Sequence, residues 1–248
     1  MKPSILLLLV AVTFTHPAFA QWSDSPDRFD TENGELTVHA VNHGSVVFTF
    51  DGKTIIADPY GGADLFSRFG APDIILITDI HGDHHDPGTL DGLDTENTTF
   101  VVPRAVAEQM DNMPDQLVIL ANGESAEVQG IPVSAIPMYN FPGDETVRHP
   151  RGRGNGYLVN FGEKRLYLSG DTEDIPEMRN LEEIDIAFLC MNLPYTMDIH
   201  QASSAVIEFQ PAVVYPYHHR GQDIEEFKAL VDAAGVDVDV RLNDWYPE

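Results

Sequence analysis

Apolar residues along this chain fall into short runs of two kinds, and each kind predicts a different element. Alternating or β-branched runs at 36–41, 45–50 and 53–58 predict strands, the last two joined by the two-residue turn Asp51-Gly52. The run at 73–78 is continuously apolar over Ile74-Ile75-Leu76-Ile77, as expected of a strand buried on both faces. Strands at 99–102, 117–120 and 131–136 follow, punctuated by Gly and Pro, with a helix over 104–112 between the first two. In the second half, strands at 156–161 and 164–169 flank a Gly162-Glu163 turn. A strand at 184–191, an amphipathic helix at 200–210, a strand at 211–217 and a closing helix at 223–234 complete the pattern.

The second half repeats the first. Phe50-Asp51-Gly52-Lys53 leads to Asp58, and Phe161-Gly162-Glu163-Lys164 leads to Asp171, so a hairpin followed by an acidic residue occurs twice. A duplicated ββ unit predicts two sheets packed face to face, with the helical segments covering the outsides.

The first twenty residues stand apart. Lys2, the apolar run 5–14 and the small-residue ending Ala18-Phe19-Ala20 predict a signal peptide cleaved after Ala20. The expectation is an exported protein, periplasmic or secreted, whose mature part 21–248 forms one domain. The apolar run is too short to span a bilayer, so no stable membrane insertion is expected after cleavage. Forty acidic residues against fourteen Lys and Arg give a formal net charge of −26, which argues against nucleic acid or anionic membrane as partners. The single cysteine, Cys190, follows the apolar Ile186 to Leu189, so no intramolecular disulfide can form and a buried thiol is expected.

Candidate chemistry begins where the run at 74–77 ends. Asp79, His81, Asp83 and His84 place two carboxylates and two imidazoles within six positions, a donor density that reads as a divalent metal site. Alternate residues of an extended chain face the same way, so Asp79, His81 and Asp83 can converge, with His84 one step further. His218, or its neighbour His219, stands where the strand 211–217 hands over to a loop. Asp171 also follows a strand end, and either bridges two metals or caps a helix over 175–181. His43 either faces the metals or is structural; His39 is expected to be a packed or surface residue of its strand, His85 to face solvent and His200 to be structural.

Together with His43-Gly44-Ser45, Ala57-Asp58-Pro59, His149-Pro150-Arg151-Gly152, Gly170-Asp171-Thr172, Tyr195-Thr196-Met197 and Pro216-Tyr217-His218, this cluster resembles the metallo-β-lactamase-fold hydrolases. Within them it is similar to the L-ascorbate 6-phosphate lactonase group. The resemblance implies an α/β fold, a four-layer αββα sandwich of two mixed sheets, holding one or two divalent ions. On that pattern His81 and Asp79 stand on one side, Asp83, His84 and His218 on the other, and Asp171 between them. Two positions depart from it. The family's usual first histidine is Asp79 here, and a strand-end position that often supplies another is Asn140, which either leaves that half empty or lets His149 substitute, unless His149 is a loop histidine. Carboxylate and amide in place of imidazole harden that half, so manganese or iron(II) stand beside zinc, the first choice of metal.

The implied chemistry is hydrolysis of an ester, lactone or phosphoester, with a divalent ion lowering the pKa of a bound water to about 7. Asp83 is the candidate catalytic residue, orienting the nucleophile while touching the metal, and Asp58 is expected to fix a ligand from behind. The aperiodic connection 139–155 is long enough to be a functional loop, and it carries Arg148, Arg151 and Arg153. Arg220 follows His218 and His219. In a chain poor in positive charge, Arg151, Arg153 and Arg220 either suit an anionic small-molecule substrate or balance the acidic surface. β-Lactam hydrolysis is the alternative enzyme reading. An iron-dependent redox protein or a non-catalytic metal-binding module on the same fold are the others, and the presence of Asp83 favours catalysis over binding alone.

Overall fold

The computed structural model describes residues 26–110 and 113–246, so the signal peptide expected over 1–20 lies outside the described residues. The first sheet comprises β1 (Asp27–Thr31), β2 (Gly34–Asn42), β3 (Ser45–Phe50), β4 (Lys53–Ala57), β5 (Ile74–Leu76), β6 (Thr99–Val102) and β7 (Gln116–Ile119), in that order. The second comprises β8 (Ser125–Val128), β9 (Ile131–Met138), β10 (Gly154–Phe161), β11 (Lys164–Leu168), β12 (Ile186–Cys190), β13 (Val213–Tyr217) and β14 (Asp239–Val240).

The two sheets match pairing for pairing. In each, the first four strands pair antiparallel and the remaining steps are parallel. Phe50↔Lys53 and Phe161↔Lys164 close the two corresponding hairpins. The repeat legible in four residues is therefore a repeat of whole sheets.

Strand periodicity divides the core. Along β3, Val46, Phe48 and Phe50 face the other sheet, while Val47 joins an outer cluster with Ile56, Phe66, Ile75, Phe100 and Val106. Between the sheets, Phe48 meets Phe161 and Phe188 with ring centroids 5.6 and 5.7 Å apart. A 3-10 helix (Ala63–Phe69), α1 (Pro87–Gly92) and α2 (Arg104–Ala107) accompany the first sheet; α3 (Pro176–Arg179), α4 (Ile199–Phe209) and α5 (Ile224–Ala233) accompany the second. The order is the expected αββα sandwich of two mixed sheets. Helix α4 starts at a capping box between Asp198 and Gln201, and buries Ala202, Ala205, Val206 and Phe209. Burying each large apolar side chain contributes about 1.5–3 kcal/mol, against about 1 kcal/mol for a cap, so packing rather than capping holds the helices down. No helix among the described residues is long and apolar enough to cross a membrane.

Some expectations are corrected. The helix expected over 104–112 is regular only to Ala107, and 111–112 lie outside the described residues. Asp171 does not cap the helix over 175–181, because α3 starts at Pro176 with Ile175 as its cap residue. His85 does not face solvent: the turn formed by the His84 and His85 amides donating to His81 O carries it inward, only 6% exposed, to a side-chain hydrogen bond with Gln109. Cys190 is buried as expected.

Candidate metal centre

Strand ends converge from both sheets. β5 leads directly to Asp79–His84, β9 to Asn140 and His149, β11 to Asp171, β12 to Asn192 and β13 to His218, while the β2–β3 turn supplies His43. His43, Asp58 and His218 hold left-handed φ angles of 56°, 44° and 50°, uncommon for residues with a Cβ and here gathered at one place. Gly44 is required by closeness, since a Cβ there would stand 2.9 Å from Cδ2 of His218.

The side chains form two halves sharing Asp171. In one, His84 Nε2 lies 3.3 Å from Asp171 Oδ2, and His218 Nε2 lies 3.6 Å from Asp171 Oδ1 and 3.4 Å from Asp83 Oδ2. In the other, His81 Nδ1 lies 2.5 Å from Asp79 Oδ2, and His149 Nε2 lies 3.9 Å from that oxygen and 3.3 Å from Asp171 Oδ2. Three groups could each hold a cation, their ligand atoms within 4.8 Å of one another: His84, Asp171 and His218; Asp79, His81 and His149; and His43, Asp83 and His218.

These residues fit a divalent ion on the state of their own atoms. His81 Nδ1, His84 Nε2, His149 Nε2, His218 Nε2 and Asp171 Oδ1 are buried without a hydrogen-bond partner. Each such atom costs about 1–3 kcal/mol, so five gathered together call for a cation that satisfies them at once. The rings are also gripped from behind. His84 Nδ1–H donates to Asp58 Oδ2 at 2.8 Å and His149 Nδ1–H to Asn140 Oδ1 at 2.9 Å, and the Asn192 amide stands 3.1 Å from His218 Nδ1. On His84 and His149 the proton held on the far nitrogen leaves the near one bare for a metal, whereas the Asn192 NH2 group donates to His218 Nδ1.

In the ion-free centre the opposite charges compensate one another. Burial would raise the Asp171 carboxyl, but the adjacent His218 and His84 reverse this and hold it well below the usual carboxylate range. Burial would lower His84, yet Asp171 and Asp58 raise it well above the ordinary imidazole value. Asp79 is lowered against its own burial by the adjacent His81 ring, then by His84, Arg153 and His149. Asp83 is likewise lowered against burial by the neighbouring His218 ring and the hydrogen bond from His43.

Asn140 lies behind His149 rather than among the bare donors, and its Nδ2 donates to Tyr195 O at 2.9 Å. Asp58 lies behind His84. His43 faces Asp83, with Nε2 3.1 Å from Oδ2. Arg153 is turned onto Asp79, whereas Arg151 is exposed, pairing with Glu177 and lying over the Tyr139 ring. Arg220 is exposed, and its backbone amide donates to Tyr246 OH at 2.7 Å. His219 stands aside from the cluster, edge-on to Tyr246. Sequence reading passes over Asn192 and Tyr246. A polar side chain one residue beyond the apolar run 186–191 marks the first, and the aromatic pair Trp245-Tyr246 in a polar tail marks the second.

A family model described as Beta-lactamase superfamily domain matches residues 37–218, a span that contains every residue of both halves. The chain belongs to this superfamily. Its similarity to a metal-dependent hydrolase of Pyrococcus horikoshii, of the UPF0173 group, is 29% identity over 205 residues, 76% of this chain and 89% of the relative. A solved structure from Parabacteroides distasonis, described as a metal-dependent hydrolase, superposes with a TM-score of 0.80 at 37% identity, covering 89% of this chain and 98% of that one. Igni18, a metallo hydrolase of Ignicoccus hospitalis, shares the fold with a TM-score of 0.71 at 23% identity, over 86% of this chain and 95% of that one. This superfamily member is a metal-dependent hydrolase with the metallo-β-lactamase fold.

Proposed function

We propose that this metal-dependent hydrolase opens an ester, lactone or phosphoester bond in an anionic small molecule, and that it works outside the cytoplasm. The observation that carries the reaction type is the one-sided opening of the centre. His84, His149, His218, Asp79 and Asp171 are buried, while the side chains of Asp83 and His81 are 28% and 23% exposed. A substrate arriving from that side meets Asp83 and His81.

Asp83, His84, Asp171 and His218, and Asp79, His81, His149 and Asp171, would hold divalent cations, whose chemistry when bound would be that of a Lewis acid that lowers the pKa of water. Asp83 orients the attacking water, and a chain of hydrogen bonds sets its posture. The Arg220 amide donates to Tyr246 OH at 2.7 Å, Tyr246 OH donates to His43 Nδ1 at 3.0 Å, and His43 Nε2–H donates to Asp83 Oδ2 at 3.1 Å. His43 thus presents a proton to an ionised Asp83 and leaves the second carboxylate oxygen free for the water.

The positive groups beside the centre support an anionic substrate. Arg148 lies over the Tyr195 ring at 4.6 Å and Arg151 over Tyr139 at 5.2 Å, so both are held near the loops that carry Asn140 and His149. Resemblance to the ascorbate 6-phosphate lactonase group points to a lactone bearing phosphate or carboxylate. Mixed imidazole and carboxylate donors without thiolate favour zinc, with manganese or iron(II) accommodated.

Metal-stripped protein reloaded with zinc, manganese or iron(II) and screened against anionic lactones, phosphodiesters, neutral esters and β-lactams tests this. Activity on anionic lactones or phosphoesters, lost on stripping and restored by metal, is the expected result. Cleavage confined to β-lactams, or an iron-coloured protein that consumes oxygen and hydrolyses nothing, would sink the proposal. For export, the intact mass of protein recovered from periplasm or medium is expected to begin at Gln21. A cytosolic product retaining residues 1–20 would remove that half of it.

A further inference from the structure

Among the described residues, Arg153 is the only Lys or Arg whose side chain bonds a carboxylate of the centre. Its Nε donates to Asp79 Oδ1 at 3.2 Å and its Nη2 to Asp79 Oδ2 at 3.1 Å, a two-pronged fork on a buried carboxylate. The backbone holds this fork in place. A Cβ on the next residue, Gly154, would stand 2.8 Å from Thr78 O and 3.1 Å from Asp79 Oδ1, and the Asn155 amide donates to Thr78 O at 2.9 Å. The start of β10 is therefore seated directly against Asp79.

The other half carries the opposite sign. No Lys or Arg bonds Asp83 or Asp171 among the described residues, and a further buried carboxylate, Asp58, lies 2.8 Å behind His84. One half is backed by added negative charge, and the other has its own carboxylate neutralised. A fixed charge a few ångströms from an entering cation changes its affinity by about tenfold or more, even at an effective dielectric of about 20.

We infer that Arg153 makes the two halves unequal. The first divalent ion enters the half formed by Asp83, His84, Asp171 and His218. The half formed by Asp79, His81 and His149 takes its ion more weakly, because the guanidinium must share Asp79 with it. Arg153 is thus a positioning residue that acts on the second ion through Asp79. The pairing also gives Asp79 a physical partner: a charged ligand where a neutral imidazole would serve is balanced by a charge of opposite sign. The inference rests on the metal-centre reading above.

Calorimetric titration of metal-stripped protein with zinc, with bound ions counted after dialysis, tests it without a substrate. In the wild type, two steps separated by about tenfold or more are expected, or a single ion if the second is too weak to hold. His81→Ala should remove the weaker step and spare the stronger. Arg153→Met, shown to be folded by circular dichroism, should tighten the weaker step by about tenfold, or add a second ion, with the stronger step unmoved. Arg153→Lys, which keeps the charge without the fork, should leave the weaker step weak. If the methionine variant does not fold, Arg153→Gln carries the same expectation. Two equal steps in the wild type, or an Arg153→Met variant whose weaker step is unchanged or weaker still, would overturn the inference while the metal-centre reading stands. Failure of every form to bind an ion would overturn both.

Discussion

Replacing Asp171 by asparagine is expected to empty both halves of the centre and to reduce hydrolysis by about a thousandfold or more. Among the described residues, Asp171 is the one side chain that faces both: Oδ2 lies 3.3 Å from His84 Nε2 and from His149 Nε2, and Oδ1 lies 3.6 Å from His218 Nε2. Asparagine keeps the shape but replaces an anionic oxygen by an NH2 group that turns hydrogens toward a cation. Affinity is expected to fall about 100-fold or more for each ion. Stability separates this effect from simple damage. Asp171 Oδ1 has no hydrogen bond to lose, but the carboxylate charge paired with His84 and His218 is lost, so the metal-free variant should melt below metal-free wild type, and the response to added metal is the readout that discriminates. Metal-loaded wild type gains about 4 kcal/mol at a thousandfold excess over its dissociation constant, and the variant should lack that gain. Thermal unfolding with and without zinc, beside metal content after dialysis, measures both. A variant that keeps two ions and the metal-dependent rise in melting temperature would remove Asp171 from the centre.

The sequence carries much of this architecture because its signals are local. β-Branched runs at 45–50 and 53–57 alternate between two apolar clusters, and a two-residue turn joins them, so the hairpin and its repeat need no knowledge of the rest of the chain. Asp79, His81, Asp83 and His84 are legible for the same reason, as four donors in one turn. β1 and β8 are not legible: they are edge strands with every second residue exposed, and Asp27–Thr31 has too few apolar residues to register as a strand. Residues whose meaning depends on a distant partner are also hidden. Arg153 reads as a free cation in its own loop, yet its carboxylate is 74 residues away, and His43 meets Tyr246 across 203 residues. Asn140 looks like a weakened ligand from its strand-end position; only the fold shows it accepting the His149 ring proton. Donor density marks where the centre lies, while the hydrogen bonds that orient each donor come from the packing of the two sheets.

Asp58 is where structural and chemical roles can be pulled apart by two substitutions with unlike outcomes. Its carboxylate is fully buried and accepts from Thr78 N at 2.8 Å, Thr78 Oγ1 at 2.6 Å and His84 Nδ1 at 2.8 Å. Asp58→Ala strands three buried donors at about 1–3 kcal/mol each and places a Cβ-bearing residue without side-chain hydrogen bonding at φ 44°. A loss of about 3–5 kcal/mol is expected, a large share of the 5–15 kcal/mol that holds a typical domain together, with the midpoint of denaturant unfolding as the readout. Asp58→Asn tolerates the left-handed backbone and still offers an oxygen to the Thr78 amide, so its stability loss should be smaller. Its NH2 group, however, then points at His84 Nδ1 and accepts no proton from it. The imidazole proton moves to Nε2, the nitrogen that faces Asp171, and the bare donor is lost. Ion affinity in that half is therefore expected to fall about 10–100-fold in a protein that still folds, while the half built on Asp79, His81 and His149 keeps its own. If Asp58→Asn bound its first ion as tightly as the wild type, the hydrogen bond behind His84 would be packing alone, and the tautomer argument would not hold.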